Sequence, residues 1–430
     1  MRLGSRALLG WLVLGWAALW AVDVAAHGDP PAGQSVHAVD GEWVYVTNFG
    51  VMAPGWADEY VCEEAFFGSV RFRVVPLTES RWATFTRTTA SVTDDGCDFD
   101  LVMQIPAAPT DVAHLSGTEE VAFTVQRDGE AEVWHSTTGG EEWSQVPVTL
   151  EGVRPAGLGF LESRRLVLVG YVTDEEDRGA PVITEIDVGT GVREDHEVDQ
   201  GLRFPDLLDA QGGDFLWHGR RAEGHEIYWS QGGELTAGGL MSERWPSAGA
   251  ISPDGSAAYL GGVDPENRGV FRAVRGEPDV WEEIAPGHRV LCLGADDGGV
   301  FVCGHRNHDG YDLMRWTEAD GVEVLVDFRD MTGFRSDCPP TSNTAAICPA
   351  VWPETARALS IDAAPVEPDL PGAGEEGPED EEGDGCGGCG AVPGGSPGAW
   401  ILFLVVLLMM RRETMRPKRR KRRKRRWSTR

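Results

Sequence analysis

The sequence has few basic residues outside its two ends. Lysine occurs at only three positions, Lys418, Lys421 and Lys424, all in the C-terminal tail. Between residues 27 and 410, 67 acidic residues stand against 23 basic ones, a formal charge of −44. Such a surface repels a phosphate backbone. The shortage of basic residues excludes nucleic-acid binding by this part of the chain and favours cations or basic surfaces as partners.

The middle of the chain also lacks a convincing amphipathic helical pattern of three turns. Glycine-rich phosphate loops, G-x-S-x-G elbows and HExxH zinc motifs are absent from the sequence as well. Glycine and proline are abundant instead, with 55 and 26 of the 430 residues, above the usual share. Hydrophobic residues make up 41%, enough for a core. These features predict a turn-rich β protein and argue against a helix bundle.

Short β-rich runs recur along the chain at intervals of 39 to 48 residues. They begin near Trp43, Trp82, Val121, Leu166, Asp214, Ala257 and Val300. Regular spacing of this length, with several strands in each unit, is typical of a β-propeller. We therefore predict an all-β fold, a propeller of seven four-stranded blades over residues 38–352, with six or eight blades as alternatives.

Two turns within these units share a pattern of a polar residue, a glycine and an aromatic residue. The polar side chain can accept hydrogen bonds from turn amides, glycine permits positive φ, and the aromatic ring can pack between blades. The pattern resembles the Asp-box, S-x-D-x-G-x-x-W, of sialidase-like (BNR) and sortilin-like propellers. Thr138 stands at the Asp position of one turn and Val92 at the Ser position of the other. The candidate residues are Asp94, Gly96, Phe99, Ser136, Gly140 and Trp143.

A third turn, Ser252-Pro253-Asp254-Gly255, resembles the strand-opening turn of TolB-like and YVTN-type propellers. This resemblance, like the previous one, implies a fold more than an activity.

Six cysteines lie within the predicted propeller. Cys292 and Cys303 are centred on Asp297-Gly298, and a type I′ hairpin at that point would place them directly opposite each other. A cross-strand disulfide is predicted there. The other expected pairs are Cys338 with Cys348, in the segment after the last blade, and Cys62 with Cys97, between the first two blades.

The N-terminal residues 1–26 have the features of a signal peptide. Arg2 and Arg6 precede an apolar run, and small residues at Ala25 and Ala26 fit cleavage after Ala26. An uncleaved membrane anchor is the alternative. Either reading predicts that the propeller is exported, where cysteines can oxidise.

The C-terminal region has three further segments by composition. Residues 353–385 form an acidic, Gly/Pro-rich stalk that we expect to be disordered, 386–412 hold a cysteine motif and a short transmembrane segment, and 413–430 form a basic cytoplasmic tail. The apolar part, from Ala399 to Met410, has only 12 residues, fewer than the ~20 of a stable span.

Cys386 and Cys389 in a glycine-rich motif, followed by a short apolar run and an arginine cluster, resemble the MYXO-CTERM sorting signals of myxobacteria. The resemblance implies recognition by a membrane protease and display at the cell surface or outer membrane. A plain single-pass anchor is the alternative, because positive-inside topology explains the same residues.

Candidate chemistry is sparse. His305, His308 and Asp309 are weak metal candidates on a predicted loop, and no cofactor is expected. We predict a non-catalytic binding or structural module that is exported and membrane-anchored, with a protein or glycan ligand. The alternatives are a sialidase-like Asp-box glycoside hydrolase and an assembly factor for a membrane complex.

Overall fold

The computed structural model describes residues 32–361, with gaps at 40, 57, 67–72, 79, 173–178, 200, 233, 243–245 and 263–267. The predicted signal peptide 1–26, the sorting segment with Cys386 and Cys389, and the tail 413–430 lie outside the described residues.

Seven antiparallel sheets form a seven-bladed β-propeller, as predicted. Blade 1 contains β1 (Gly33–Val39), β2 (Glu42–Thr47), β3 (Gly50–Met52) and β4 (Glu59–Cys62). Blade 2 contains β5 (Arg73–Pro76), β6 (Trp82–Phe85), β7 (Thr89–Thr93) and β8 (Asp100–Gln104). Blade 3 contains β9 (Pro109–His114), β10 (Val121–Arg127), β11 (Glu130–Ser136) and β12 (Ser144–Gln145), with the short β13 (Leu150–Glu151) also paired to β11.

The remaining four blades repeat the same order of strands. Blade 4 contains β14 (Val153–Glu162), β15 (Arg165–Val172), β16 (Ala180–Asp187) and β17 (Arg193–His196). Blade 5 contains β18 (Arg203–Gln211), β19 (Asp214–Arg221), β20 (Gly224–Gln231) and β21 (Glu234–Ser242). Blade 6 contains β22 (Ala248–Ile251), β23 (Ala257–Gly262), β24 (Gly269–Val274) and β25 (Glu277–Pro286). Blade 7 contains β26 (Cys292–Ala295), β27 (Val300–Cys303), β28 (Leu313–Thr317) and β29 (Gly321–Val326).

The seven runs predicted from sequence are the second strands of the seven blades: β2, β6, β10, β15, β19, β23 and β27. Among the described strands these are the most regularly buried, since neighbouring blades cover both of their faces. The near-continuous apolar pattern was therefore a reliable marker of blade number.

Apolar side chains from neighbouring blades form the seams of the ring. Between blades 2 and 3, Phe85 packs on Phe123 with ring centroids 5.6 Å apart. Between blades 4 and 5, Val167 and Val169 pack with Trp217. Burying one such side chain contributes roughly 2–3 kcal/mol, so the repeated seams account for much of the driving force for ring formation.

Helices are few in the part of the chain that the structure describes. They are α1 (Arg306–Asp309), α2 (Asn343–Leu359) and the 3-10 turns Pro54–Trp56, Glu63–Phe66 and Phe328–Asp330. None of these described helices has both the length and the apolar character that a membrane span requires. Helix α2 was not expected from the sequence. It carries Pro349 and Pro353 in its interior and extends beyond residue 352.

The chain closes the ring by returning to blade 1. After blade 7, the two-residue strand β30 (Gly333–Phe334) pairs in parallel with β4, the outermost strand of that blade. Helix α2 then begins at blade 2, where the Asn343 N–H donates to Asp98 Oδ1 at 3.0 Å. We call residues 333–359 the C-terminal latch.

Three disulfides are present, and two of the predicted pairings were wrong. Cys292 and Cys303 are bonded across β26 and β27 in the predicted register, Cα atoms 5.0 Å apart. The latch cysteines pair instead with the first two blades, as Cys62–Cys348 and Cys97–Cys338. Cysteines that are neighbours in the chain were expected to pair, whereas ring closure brings the two ends of the propeller together.

The turn between Cys292 and Cys303 also differs from the expected type. Neither Asp297 nor Gly298 has a positive φ, so the turn is not type I′. Asp296 organises it instead, because its Oδ1 accepts the N–H groups of Gly298 and Gly299 at 2.8 and 2.7 Å.

The turn containing Ser136 has the predicted organisation. Ser136 Oγ accepts the Gly140 N–H at 2.9 Å, and Thr138 Oγ1 accepts the Glu142 N–H at 2.9 Å. Trp143 packs against aromatic rings of two blades, with centroids 5.7 Å from Phe85 and 4.9 Å from Phe123.

The turn that ends at Phe99 is displaced by one residue from the predicted pattern. Asp95, not Asp94, accepts the turn amides of Cys97 and Asp98, at 2.8 and 3.2 Å. Thr93 takes the hydroxyl position in place of Val92 and accepts the Gly96 N–H at 2.8 Å. Asp94 instead lies exposed, 3.3 Å from Arg81 Nε.

Candidate functional site

The first strands of the blades surround a central channel. This channel holds a cavity of about 730 Å³, lined by residues of all seven inner strands, from Ser35 in β1 to Ala295 in β26. Because the blades repeat one topology around a ring, their inner strands run in the same direction, and their first residues lie at one face. We call this face, marked by Arg73 and Arg203, the entry face.

Two acidic residues and one arginine interact near the entry face, from three different blades. Asp111 lies in β9, Asp206 in β18, and Arg73 opens β5. Burial, reinforced by the negative charge of Asp111, raises the pKa of Asp206 to about 7. Burial also raises the pKa of Asp111, against the opposing effects of Arg73 and of the hydrogen bonds that its carboxylate accepts. The two carboxyl groups thus share an environment that disfavours a double negative charge.

Two of the channel carboxylates bind the backbone of the next blade. Asp111 Oδ2 accepts the Leu158 N–H of β14 at 2.8 Å. Asp209 Oδ2 accepts the Ile251 N–H of β22 at 2.7 Å, and burial raises the pKa of Asp209 to about 6. These bonds link blade 3 to blade 4 and blade 5 to blade 6. Asp111 and Asp209 therefore contribute to the ring as well as to the channel lining.

Two histidines line the same channel. Burial, with a smaller contribution from His114, lowers the pKa of His37 to about 4. Burial likewise lowers the pKa of His114, although its Nε2 lies 3.0 Å from the Thr118 carbonyl oxygen. Both imidazoles are neutral at pH 7. The channel lining therefore offers neutral imidazoles and carboxyl groups with raised pKa values.

The entry face carries an aromatic pair, the half-buried Tyr171 and the exposed Phe204, at the junction of blades 4 and 5. Phe204 is 39% exposed, and its ring contacts Tyr171 edge-on with centroids 5.7 Å apart. Tyr171 also lines an open cleft of about 580 Å³, together with Gln126 and Arg154.

The predicted metal candidates are not brought together as a ligand set. Asp309 Oδ2 accepts the His305 N–H at 2.7 Å and its Oδ1 the Arg289 N–H at 3.1 Å, so this carboxylate supports the backbone around α1. Among the described residues, one group of three potential ligands lies within coordinating range, and it consists of Cys97, Asp337 and Cys338. Both cysteines are in a disulfide.

The channel residues and the aromatic pair were not expected from the sequence. The inner strands have a less continuous buried apolar pattern than the second strands, and abundant acidic residues hide any particular pair. The positions of these residues relative to the predicted strands could have indicated them. Asp111 lies in the segment just before the run at Val121, and Asp206 in the segment before the run at Asp214, where a propeller places its innermost strand.

No protein-family model and no curated protein matches this sequence. Among solved structures, hydrazine synthase from Kuenenia stuttgartiensis is similar at 11% identity with a TM-score of 0.49, over 71% of this chain and 98% of that one. An ancestral GH74 enzyme is similar at 12% identity with a TM-score of 0.49, over 68% of this chain and 46% of that one. The β-propeller domain of the Trilobed protease from Pyrococcus furiosus aligns at 13% identity, TM-score 0.40, over 69% and 86%.

These three likenesses concern the fold and carry no function to this chain. The assignment to the β-propeller class rests on the seven four-stranded sheets described above. The three disulfides indicate an oxidising compartment, extracellular or periplasmic.

Proposed function

We propose that this protein is a non-catalytic, surface-displayed propeller that binds an extracellular ligand at the entry face of its channel. The observation that supports the proposal is that Arg73 and Asp111 line the cavity of about 730 Å³ and that both act electrostatically on Asp206 of a third blade. Concave sites with a few convergent polar groups are where proteins usually bind ligands. Engagement of Asp111 with the backbone of the next blade favours a rigid binding site over a reactive one.

Binding can be tested with the full-length protein in detergent micelles and washed cell envelopes of the organism that makes it. We expect the protein to co-sediment with the envelopes and Asp206→Asn to weaken this by about tenfold or more. Asp279→Asn, an exposed change on the outer strand of blade 6, is the matched control and should bind normally. Absence of co-sedimentation by the wild-type protein would reject the proposal.

A glycoside hydrolase is the second candidate, and the carboxyl pair favours it specifically. A glycosidase needs one carboxylic acid with a raised pKa as proton donor and a second carboxylate as base or nucleophile. Asp206, with its pKa near 7, would be the acid, and Asp111 the partner. The purified protein should be screened against fluorogenic sialosides and other glycosides. Turnover that Asp206→Asn or Asp111→Asn abolishes would replace the non-catalytic proposal with this one.

Surface display through the C-terminal region is a further part of the proposal. The cysteine motif, the short apolar run and the arginines support a sorting signal of the MYXO-CTERM kind. Replacing Cys386 and Cys389 with Ala should leave the precursor uncleaved, as an immunoblot of cell fractions would show. Normal processing of the double variant would instead favour a plain membrane anchor.

A further inference from the structure

Phe204 has a backbone conformation that is rare for an aromatic residue. Its φ is +46°, in the left-handed region, although β18 begins only one residue earlier. A side chain at Cβ makes this region unfavourable, and a bulky residue found there is strained by about 1–3 kcal/mol. Folding alone gives no reason to prefer phenylalanine over glycine or asparagine at this position.

Among the described residues, Gly179 and Tyr171 contact the ring of Phe204. Gly179 lies directly beneath it, since a Cβ at that glycine would be 2.9 Å from Phe204 Cε1. The Phe204 N–H donates to the Gly179 carbonyl oxygen at 3.4 Å, and Tyr171 contacts the ring edge-on. With 39% of the residue still exposed, the ring is held at the surface instead of being buried in the seam.

Polar groups of both charges flank this aromatic pair. Arg154 is the direct cross-strand partner of Tyr171 and lines the cleft of about 580 Å³ with Gln126. Asp206 follows Phe204 by two residues on the inner strand. The neighbourhood of the pair thus combines an exposed ring with the donors Arg154 and Gln126 and, two residues along the strand, the carboxyl group of Asp206.

We propose that Tyr171 and Phe204 form a saccharide-binding site for neutral sugars, which deepens the binding function proposed above and rests on it. The apolar C–H face of a pyranose can lie on the exposed ring, while its hydroxyl groups bond to Asp206, Arg154 and Gln126. Aromatic contact area with a few fixed polar groups suits such a ligand. A polyanionic polymer is disfavoured because the surrounding body carries a large net negative charge.

Phe204→Gly separates a binding role of this ring from a structural one. Glycine adopts a positive φ without strain, so the melting temperature of the variant should equal or exceed that of the wild-type protein. The aromatic surface on which a sugar could stack is lost. Phe204→Trp restores an aromatic surface and should keep binding. Val280→Ala, which changes an exposed apolar residue on blade 6, is the matched control.

The measurement is affinity electrophoresis of the full-length protein in detergent gels containing dextran, laminarin, xylan, hydroxyethyl cellulose or the acidic polymer alginate. At least one neutral polysaccharide should retard the wild-type protein and the Phe204→Trp variant. The apparent affinity of Phe204→Gly for that polysaccharide should be about tenfold lower. No retardation by any neutral polymer, retardation by alginate alone, or equal retardation of Phe204→Gly overturns the saccharide site.

Cell envelopes treated with periodate or protease distinguish failure of the saccharide site from failure of the proposed binding function. Loss of co-sedimentation after periodate oxidation of the envelopes supports a saccharide ligand. Loss after protease digestion, with binding preserved after periodate, overturns the saccharide site while leaving the binding function in place. Absence of binding to untreated envelopes rejects both.

Discussion

At the residue scale, Asp206 illustrates how a position on an inner strand changes the chemistry of an ordinary carboxyl group. Its pKa is raised from the usual 3.8 to about 7, chiefly by desolvation of the half-buried side chain and secondarily by the negative charge of Asp111. Between these two pH values the folded protein holds a proton that the unfolded chain releases. The contribution of Asp206 to the free energy of unfolding therefore falls as pH rises from about 4 to about 7.

We predict that Asp206→Asn removes this part of the pH dependence. The variant should melt about 2 °C above the wild-type protein at pH 7.5, where the native carboxyl group is costly, and at the same temperature near pH 3.5. Differential scanning calorimetry across this range is the measurement, with Asp279→Asn as an exposed control. An equal difference at both pH values would mean that titration of Asp206 does not contribute.

At the scale of single elements, the turn between β7 and β8 shows that a motif can be recognised while its register is missed. A hydroxyl and a carboxylate accept the turn amides as the pattern implies, but through Thr93 and Asp95. The sequence could not decide between Asp94 and Asp95, since adjacent aspartates satisfy the pattern almost equally. Only the backbone path shows which one points at the amides.

This pair of neighbouring aspartates makes a matched test. Asp95→Ala should lower the free energy of unfolding by about 1 kcal/mol or more, because two turn amides lose their acceptor. Asp94→Ala should cost less than about 0.5 kcal/mol, since it removes only an exposed ion pair with Arg81. Urea unfolding monitored by tryptophan fluorescence compares the two, and a larger effect of Asp94→Ala would contradict the assignment.

Other elements of the fold differ in how clearly the sequence pattern indicates them. The second strands were visible because blades cover them on both faces, and the Cys292–Cys303 register followed from symmetric spacing about one turn. Helix α2 was not visible, because two prolines interrupt its pattern and tertiary contacts with β4 and β30 support it. Channel residues such as Asp111 were not visible either, because their neighbours in space come from other blades.

At the scale of the whole molecule, the C-terminal latch joins the last part of the propeller to the first. Its disulfides connect residues 286 and 241 positions apart, whereas the hairpin disulfide in blade 7 spans 11. Phe328 adds to this closure between blades 7 and 1, with its ring centroid 5.0 Å from that of Phe49. Ring closure is thus a long-range property that no local sequence pattern encodes.

We predict that the latch disulfides stabilise the propeller more than the hairpin disulfide does. Loop-closure entropy gives about 3 kcal/mol for the Cys292–Cys303 bond and about 4 kcal/mol or more for Cys62–Cys348. We therefore expect a lower melting temperature for the double variant Cys62→Ala/Cys348→Ala than for the double variant Cys292→Ala/Cys303→Ala. Thermal unfolding without reductant, after peptide mapping of the remaining disulfides, is the measurement. The reverse order would show that closure does not depend on the latch.

Each four-stranded blade is one uninterrupted stretch of chain. The contacts that fasten the two ends involve blades 1 and 2, Phe328 after blade 7, and the latch. Recombination that duplicated or deleted one whole middle stretch would leave both fastening partners untouched. The propeller can therefore gain or lose whole blades, which would widen or narrow its channel stepwise, without any change to the latch or to the residues that the latch contacts.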